Sequence, residues 1–143
     1  MDESHYLSLA VMDRVANEII NQGMTYSQFS KKLGYTPPYF HARYNSGQSP
    51  MTKKLYMYAE ALNISVEYLL TGKGDKTFRP FNVNLNKLIE LYNNKRHSGE
   101  KIPNKLASNI FYIKKRIHND VNLKTLLNYA EFLKTPAIKL MGG

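Results

Sequence analysis

The sequence predicts an all-α fold of two tandem small helical domains, the first of them with five helices. Three observations predict it. Apolar residues recur at helical spacing almost throughout, turn-forming residues gather at 71–80, and a short motif repeats at an offset of 71 residues.

Val11, Val15 and Ile19, with Met12, Ala16 and Ile20 alongside, form one helical face that Gly23 stops. Phe29 and Leu33 mark a short second helix ending at Gly34, a residue suited to the left-handed position after a helix. Thr36 offers an N-cap hydroxyl, and Pro37 suits the first helical position, where its missing N–H costs nothing. A third helix is expected from there to about Asn45. Residues 45–50 are turn chemistry. A fourth helix opens at a Thr52 cap, carries Leu55, Ala59 and Leu62 inward, and closes at Asn63. Ser65 caps a last short helix over 66–70.

These elements make residues 1–72 one domain, with a linker at 73–83 and a second domain at 84–143. The glycines and lysines near the linker lack the spacing of a phosphate-binding loop. Asn84 caps a helix bearing Leu85, Leu88, Ile89 and Tyr92. Leu106, Ile110, Ile113 and Ile117 define another, and Asn122 caps a third with Leu123, Leu127, Ala130 and Leu133 inward. Tyr58-Ala59-Glu60-Ala61-Leu62 matches Tyr129-Ala130-Glu131-Phe132-Leu133, and at the same offset Pro50 meets Val121 and Met51 meets Asn122. Aligning Leu33 with Ile110 takes an offset of 77, so six residues are missing between the second and fourth helices of the second copy. No glycine turn precedes Phe111 there. One continuous helix, with a packing or dimerising role and a basic exterior, is the simpler expectation.

Composition narrows the function. The 143 residues include no Cys, which excludes disulfides, thiolate zinc sites and cysteine nucleophiles. No apolar run approaches the ~20 residues of a membrane helix. The opening Met1-Asp2-Glu3-Ser4-His5 is acidic and polar, unlike a secretory signal, so no membrane association and a cytoplasmic location are expected. His5, His41, His97 and His118 show no metal-ligand spacing, and no nucleophile elbow, carboxylate pair or dinucleotide fingerprint appears. No metal, cofactor or enzymatic activity is expected.

Charge is distributed unevenly. The chain has 20 Lys and Arg against 11 Asp and Glu, a net +9. Residues 1–72 hold six of each sign, so the whole excess lies in the second half. A polyanionic partner, most simply nucleic acid, suits that half.

Residues 10–70 resemble the lambda-repressor-like helix-turn-helix domains of the Cro/repressor, xenobiotic-response-element type. The likeness lies in Met24-Thr25-Tyr26-Ser27-Gln28-Phe29-Ser30-Lys31-Lys32-Leu33-Gly34-Tyr35-Thr36-Pro37-Pro38-Tyr39-Phe40, in Asn45-Ser46-Gly47-Gln48-Ser49-Pro50, and in Leu62-Asn63-Ile64-Ser65-Val66-Glu67-Tyr68-Leu69-Leu70. It implies a sequence-specific DNA-binding transcriptional regulator of the phage or mobile-element repressor type, with the helix after Thr36 in the major groove. The contacts it implies fall on Tyr26, Gln28, Thr36, Pro38, Tyr39, His41, Arg43 and Asn45. Lys53, Lys101, Lys105, Lys114, Lys115 and Arg116, with His118 nearby, form the expected phosphate-contacting patch.

Two positions depart from the family pattern. Tyr26 stands where the family usually has Gln, and Arg43 where it has an aliphatic residue, so either Tyr44 turns inward in its place or the helix is slightly re-registered. A homodimer would bind a near-palindrome with half-sites about one turn, ~34 Å, apart. Two rival readings stay open. One is a protein-binding module (an inhibitor of a host factor, an antirepressor or an antitoxin) using Tyr35, Tyr39, Phe40 and Tyr44 as anchors. The other is RNA binding through the basic half.

Overall fold

A computed structural model describes residues 3–115 and 119–143, with Lys115 described in its backbone alone. Among the described residues it is all-helical, with two isolated β-bridges and no strand. The helices are α1 (Glu3–Asn21), α2 (Tyr26–Lys32), α3 (Tyr39–Asn45), α4 (Thr52–Leu62), α5 (Val66–Thr71), α6 (Asn86–His97), α7 (Asn104–Lys115), α8 (Leu123–Leu133) and α9 (Ala137–Leu140).

α1 buries Val11, Met12, Val15, Ala16 and Ile19; Ile20, expected on that face, is exposed. α2 starts in a capping box, where the Gln28 amide donates to Thr25 Oγ1 at 3.1 Å and the Thr25 amide donates to Gln28 Oε1 at 2.8 Å. Gly34 turns the chain at φ +87°.

α3 begins at Tyr39, not directly after Thr36, and Thr36 makes no side-chain cap: the residue before the helix is Pro38. The Phe40 amide, which would close a first α-turn on the Thr36 carbonyl, donates to Ser30 Oγ at 3.0 Å. The Thr36 carbonyl instead accepts the Tyr39 amide at 3.1 Å in a single tight turn.

α4 closes at Asn63 in the left-handed region, and the Ser65 hydroxyl accepts the Tyr68 amide at 3.0 Å to cap α5. Residues 73–83, expected as a linker, lie against the first half. The Ser65 amide donates to the Lys76 carbonyl at 2.9 Å, and Phe78 and Phe81 pack on Tyr56 with ring centroids 5.6 and 5.1 Å apart.

The second half repeats the closing part of the first. α8 and α4 are both eleven residues long, start 71 residues apart, and end on left-handed residues, Asn63 and Lys134, each at φ +52°. α9 follows α8 as α5 follows α4; no sequence signal anticipated it, because four residues after a proline hold a helix only through packing. Tyr58 and Tyr129, equivalent in the repeat, are both buried. The region between α6 and α8 departs from the repeat. There α7 runs unbroken from Asn104 to Lys115, with Leu106, Ile110 and Ile113 buried, where the first half has α2, a turn and α3. Ile117 lies outside the described residues.

The two halves share one continuous core. α1 lies against α8 as well as α4 and α5, and α5 meets α9.

Candidate nucleic-acid interface

α3 has two unlike sides, set by its sequence spacing. Pro38, His41, Ala42 and Asn45 are exposed along one side. Tyr39 and Arg43, four residues apart, are half-buried on another, and Phe40 is fully buried.

The half-buried side is a ladder of rings and cations. Tyr35 stacks on Tyr39 with centroids 3.9 Å apart and planes within 15°. The Arg43 guanidinium lies 3.8 Å over the Tyr39 ring, and the Lys54 ammonium 4.2 Å from the Tyr35 ring centre, hydrogen-bonded to the Tyr35 hydroxyl. Burial pulls the Lys54 ammonium down, but its contacts with the Tyr35 and Tyr39 hydroxyls outweigh that and hold it above the usual lysine value. Beneath them, burial and the neighbouring Tyr39 push the Tyr58 hydroxyl well above the tyrosine range.

Tyr44 is half-buried against the core. It stacks on Phe40 at 5.8 Å, and its hydroxyl donates to Asp13 Oδ1 at 2.7 Å. That bond, with some burial, pushes the Tyr44 hydroxyl up to about 12. Tyr26 lies half-buried against Phe40, His41 and Tyr44, with centroids 5.2 to 5.9 Å apart. Of the aromatic run that suggested a protein-docking anchor, Phe40 is fully buried, and Tyr35, Tyr39 and Tyr44 are half-buried.

The remaining candidates are dispersed. Gln28 is exposed but committed to the capping box, and Thr36 is exposed. Lys53 is exposed at the first turn of α4, and Lys101 and Lys105 are exposed before and on α7. The Lys114 ammonium donates to Asn93 Oδ1 at 3.0 Å and faces solvent. Lys115 belongs to α7, while Arg116 and His118 lie outside the described residues.

No protein-family model, curated protein or solved structure matches this chain. The helix-turn-helix likeness therefore stands on the residues quoted above.

Two clefts flank the junction of the halves. One, of about 170 Å³, is lined by Tyr39, Arg43, Lys54 and Gln48 with Ser49, Met51 and Asn122. The other, of about 210 Å³, is lined by Asn109, Tyr112 and Ile113 of α7 with Met51, Asn122 and Thr125. α3 and α7 thus each line a cleft that includes Met51 and Asn122 at the junction. An apolar groove of about 360 Å³ elsewhere carries Glu3, Glu67 and Glu131 and includes no residue of α3 or α7, which makes it a poor seat for a polyanion.

Sequence reasoning missed three features. Ser49 and Asp120 cap helices of the opposite half, and extending the 71-residue offset one step back from Pro50 pairs these two polar residues. Phe111 and Tyr112, 54% and 61% exposed, stand as an edge-on pair on basic α7. The inward commitment of Arg43 had no sequence signal beyond its spacing from Tyr39.

Proposed function

We propose that the chain is a duplex-DNA-binding transcriptional regulator of repressor type. α3 enters the major groove by its exposed side, and lysines of the second half hold phosphate. The observation that carries this is the division of α3. The Tyr39–Arg43 side is tied to the protein, leaving Pro38, His41, Ala42 and Asn45 as an exposed stripe behind the Gly34 turn, with the His41 ring edging Tyr26.

The chemistry of that stripe favours A·T pairs. Asn45 suits the paired donor and acceptor of adenine, while Ala42 and Pro38 offer only apolar contact, as to a thymine methyl. His41 adds one polar contact. The first half has no net charge of its own, so the non-specific phosphate term must come from the second half, with its excess of nine positive charges.

Selection from a randomised duplex pool tests this. An enriched A·T-containing motif that relaxes at one position in Asn45→Ala is expected. A pool that stays random after selection overturns the proposal.

The exposed Phe111–Tyr112 pair beside Lys105 and Lys114 favours a second reading, single-stranded nucleic acid stacking on α7. A single strand that outcompetes its own duplex, and loses affinity in Tyr112→Ala, would establish it.

A further inference from the structure

At the junction the same contacts are made twice, in opposite directions. The Thr52 amide donates to the Val121 carbonyl at 2.9 Å, and the Leu123 amide to the Pro50 carbonyl at 2.8 Å. Leu123 is the repeat equivalent of Thr52, and Val121 of Pro50, each 71 residues on. The bridge pairs Met51 with its own equivalent, Asn122.

Side chains follow the same rule. Asp120 Oδ1 accepts the Lys53 amide at 3.0 Å, capping α4, and Ser49 Oγ accepts the Lys124 amide at 3.1 Å, capping α8. Ser49 and Asp120 are equivalents, as are Lys53 and Lys124. Each half therefore supplies a side-chain acceptor to the first turn of the other's helix, alone at α4 and beside Asn122 at α8.

Reciprocal contact between equivalent residues is the signature of a two-fold interface between identical copies. Here both copies lie in one chain. We infer that the chain is an internal pseudo-dimer, in which the second half occupies the seat of a partner protomer and a single molecule engages an asymmetric duplex site.

The asymmetry follows from the one region where the halves differ. α3 and α7 each line a cleft at the junction, but among the described residues α7 runs unbroken where the first half has α2, a turn and α3. α7 is continuous and buries Leu106, Ile110 and Ile113 along its length, which leaves a basic, aromatic exterior in place of a reading helix. One side of the site is read by base and the other held by phosphate. On this inference the junction is filled within the chain, and one chain takes the place of the homodimer on a near-palindrome that the sequence alone suggested.

The claim about the site rests on the duplex-binding reading; the claim about the fold does not, and the tests separate them. Sedimentation of the unmodified protein without nucleic acid should give its 16.5 kDa mass over a wide concentration range. Hydrogen exchange should protect the Thr52 and Leu123 amides equally. A species of twice the mass, or fast exchange at either amide while α4 and α8 stay helical, overturns the internal pseudo-dimer.

With a duplex enriched from the randomised pool, one chain per duplex is expected. Base substitutions on one side of the protected tract should weaken binding about tenfold each, while those on the other side change affinity little. Two chains on an inverted repeat overturn the asymmetric site. If no duplex binds, the proposed function fails, and mass and exchange still decide the pseudo-dimer.

Discussion

The Arg43 guanidinium rests on the Tyr39 ring at 3.8 Å, on a side of α3 away from its exposed stripe. A residue that looks like a base reader in the sequence is thereby a packing element. Arg43→Ala should cost ~0.5–1 kcal/mol of stability through the lost cation–π contact, with base preference unchanged. Asn45→Ala should instead leave stability nearly alone, weaken the preferred duplex by ~1–3 kcal/mol and relax one position. Urea denaturation and competition binding measure the two effects. Relaxed preference in Arg43→Ala would mean that the guanidinium leaves the ring to reach a base.

Among the described residues Asp120 is the side chain that caps the start of α4, because Met51 before the helix offers no acceptor. It also accepts the Thr52 hydroxyl at 2.6 Å. Asp120→Ala should therefore cost ~1–2 kcal/mol. Ser49→Ala should cost less, since Asn122 Oδ1 also accepts the Lys124 amide at 3.0 Å. Denaturant midpoints of the two variants give the ranking; equal losses would contradict the unequal capping.

Tyr44 provides a pH signature. Its hydroxyl is pushed up to about 12 by the bond to Asp13, against an ordinary value of about 10. A group whose folded value is raised stabilises fully below its unfolded value, so this contribution is intact at neutral pH. It is lost as pH rises from about 10 through 12. The bond lies near the surface, so its worth is no more than ~1 kcal/mol. Ultraviolet titration should show one late-ionising tyrosine missing in Tyr44→Phe and shifted down in Asp13→Asn. An unchanged titration in Asp13→Asn would remove the assignment.

Charge reversal on α7 tests the phosphate role. Lys114→Glu with Lys115→Glu should weaken every duplex alike and flatten the salt dependence by about 0.9 per lost phosphate contact. A loss confined to the preferred sequence would place α7 at the bases instead.

Much of the fold is legible in the sequence because it is encoded locally. The 3.6-residue spacing of Val11, Val15 and Ile19, the Gly34 turn and the Asn63 and Ser65 boundaries each need only their neighbours. The repeat of Tyr58 at Tyr129 is legible too, since both fill equivalent buried positions. Less legible is whatever depends on distant partners. Asp120 caps a helix 67 residues away, Phe78 and Phe81 hold the connecting segment on Tyr56, and α9 exists only by packing. Thr36 followed by Pro37 suggests an earlier start for α3 than Tyr39, but the same pair also suits a tight turn. At the candidate site, the spacing of exposed Pro38, His41 and Asn45 was there to be read. Which side of α3 faced the protein was not, because Tyr35 and Lys54 complete the ladder from other elements.

Duplex binding itself is tested most directly by fluorescence anisotropy across a salt series. The two probes are the DNA upstream of the chain's own reading frame and a shuffled duplex of equal length. Both should show a log–log salt slope of several units, about 0.9 for each phosphate contact, with the upstream duplex bound more tightly by ~4 kcal/mol or more. No binding to either duplex at low salt would contradict the proposed function.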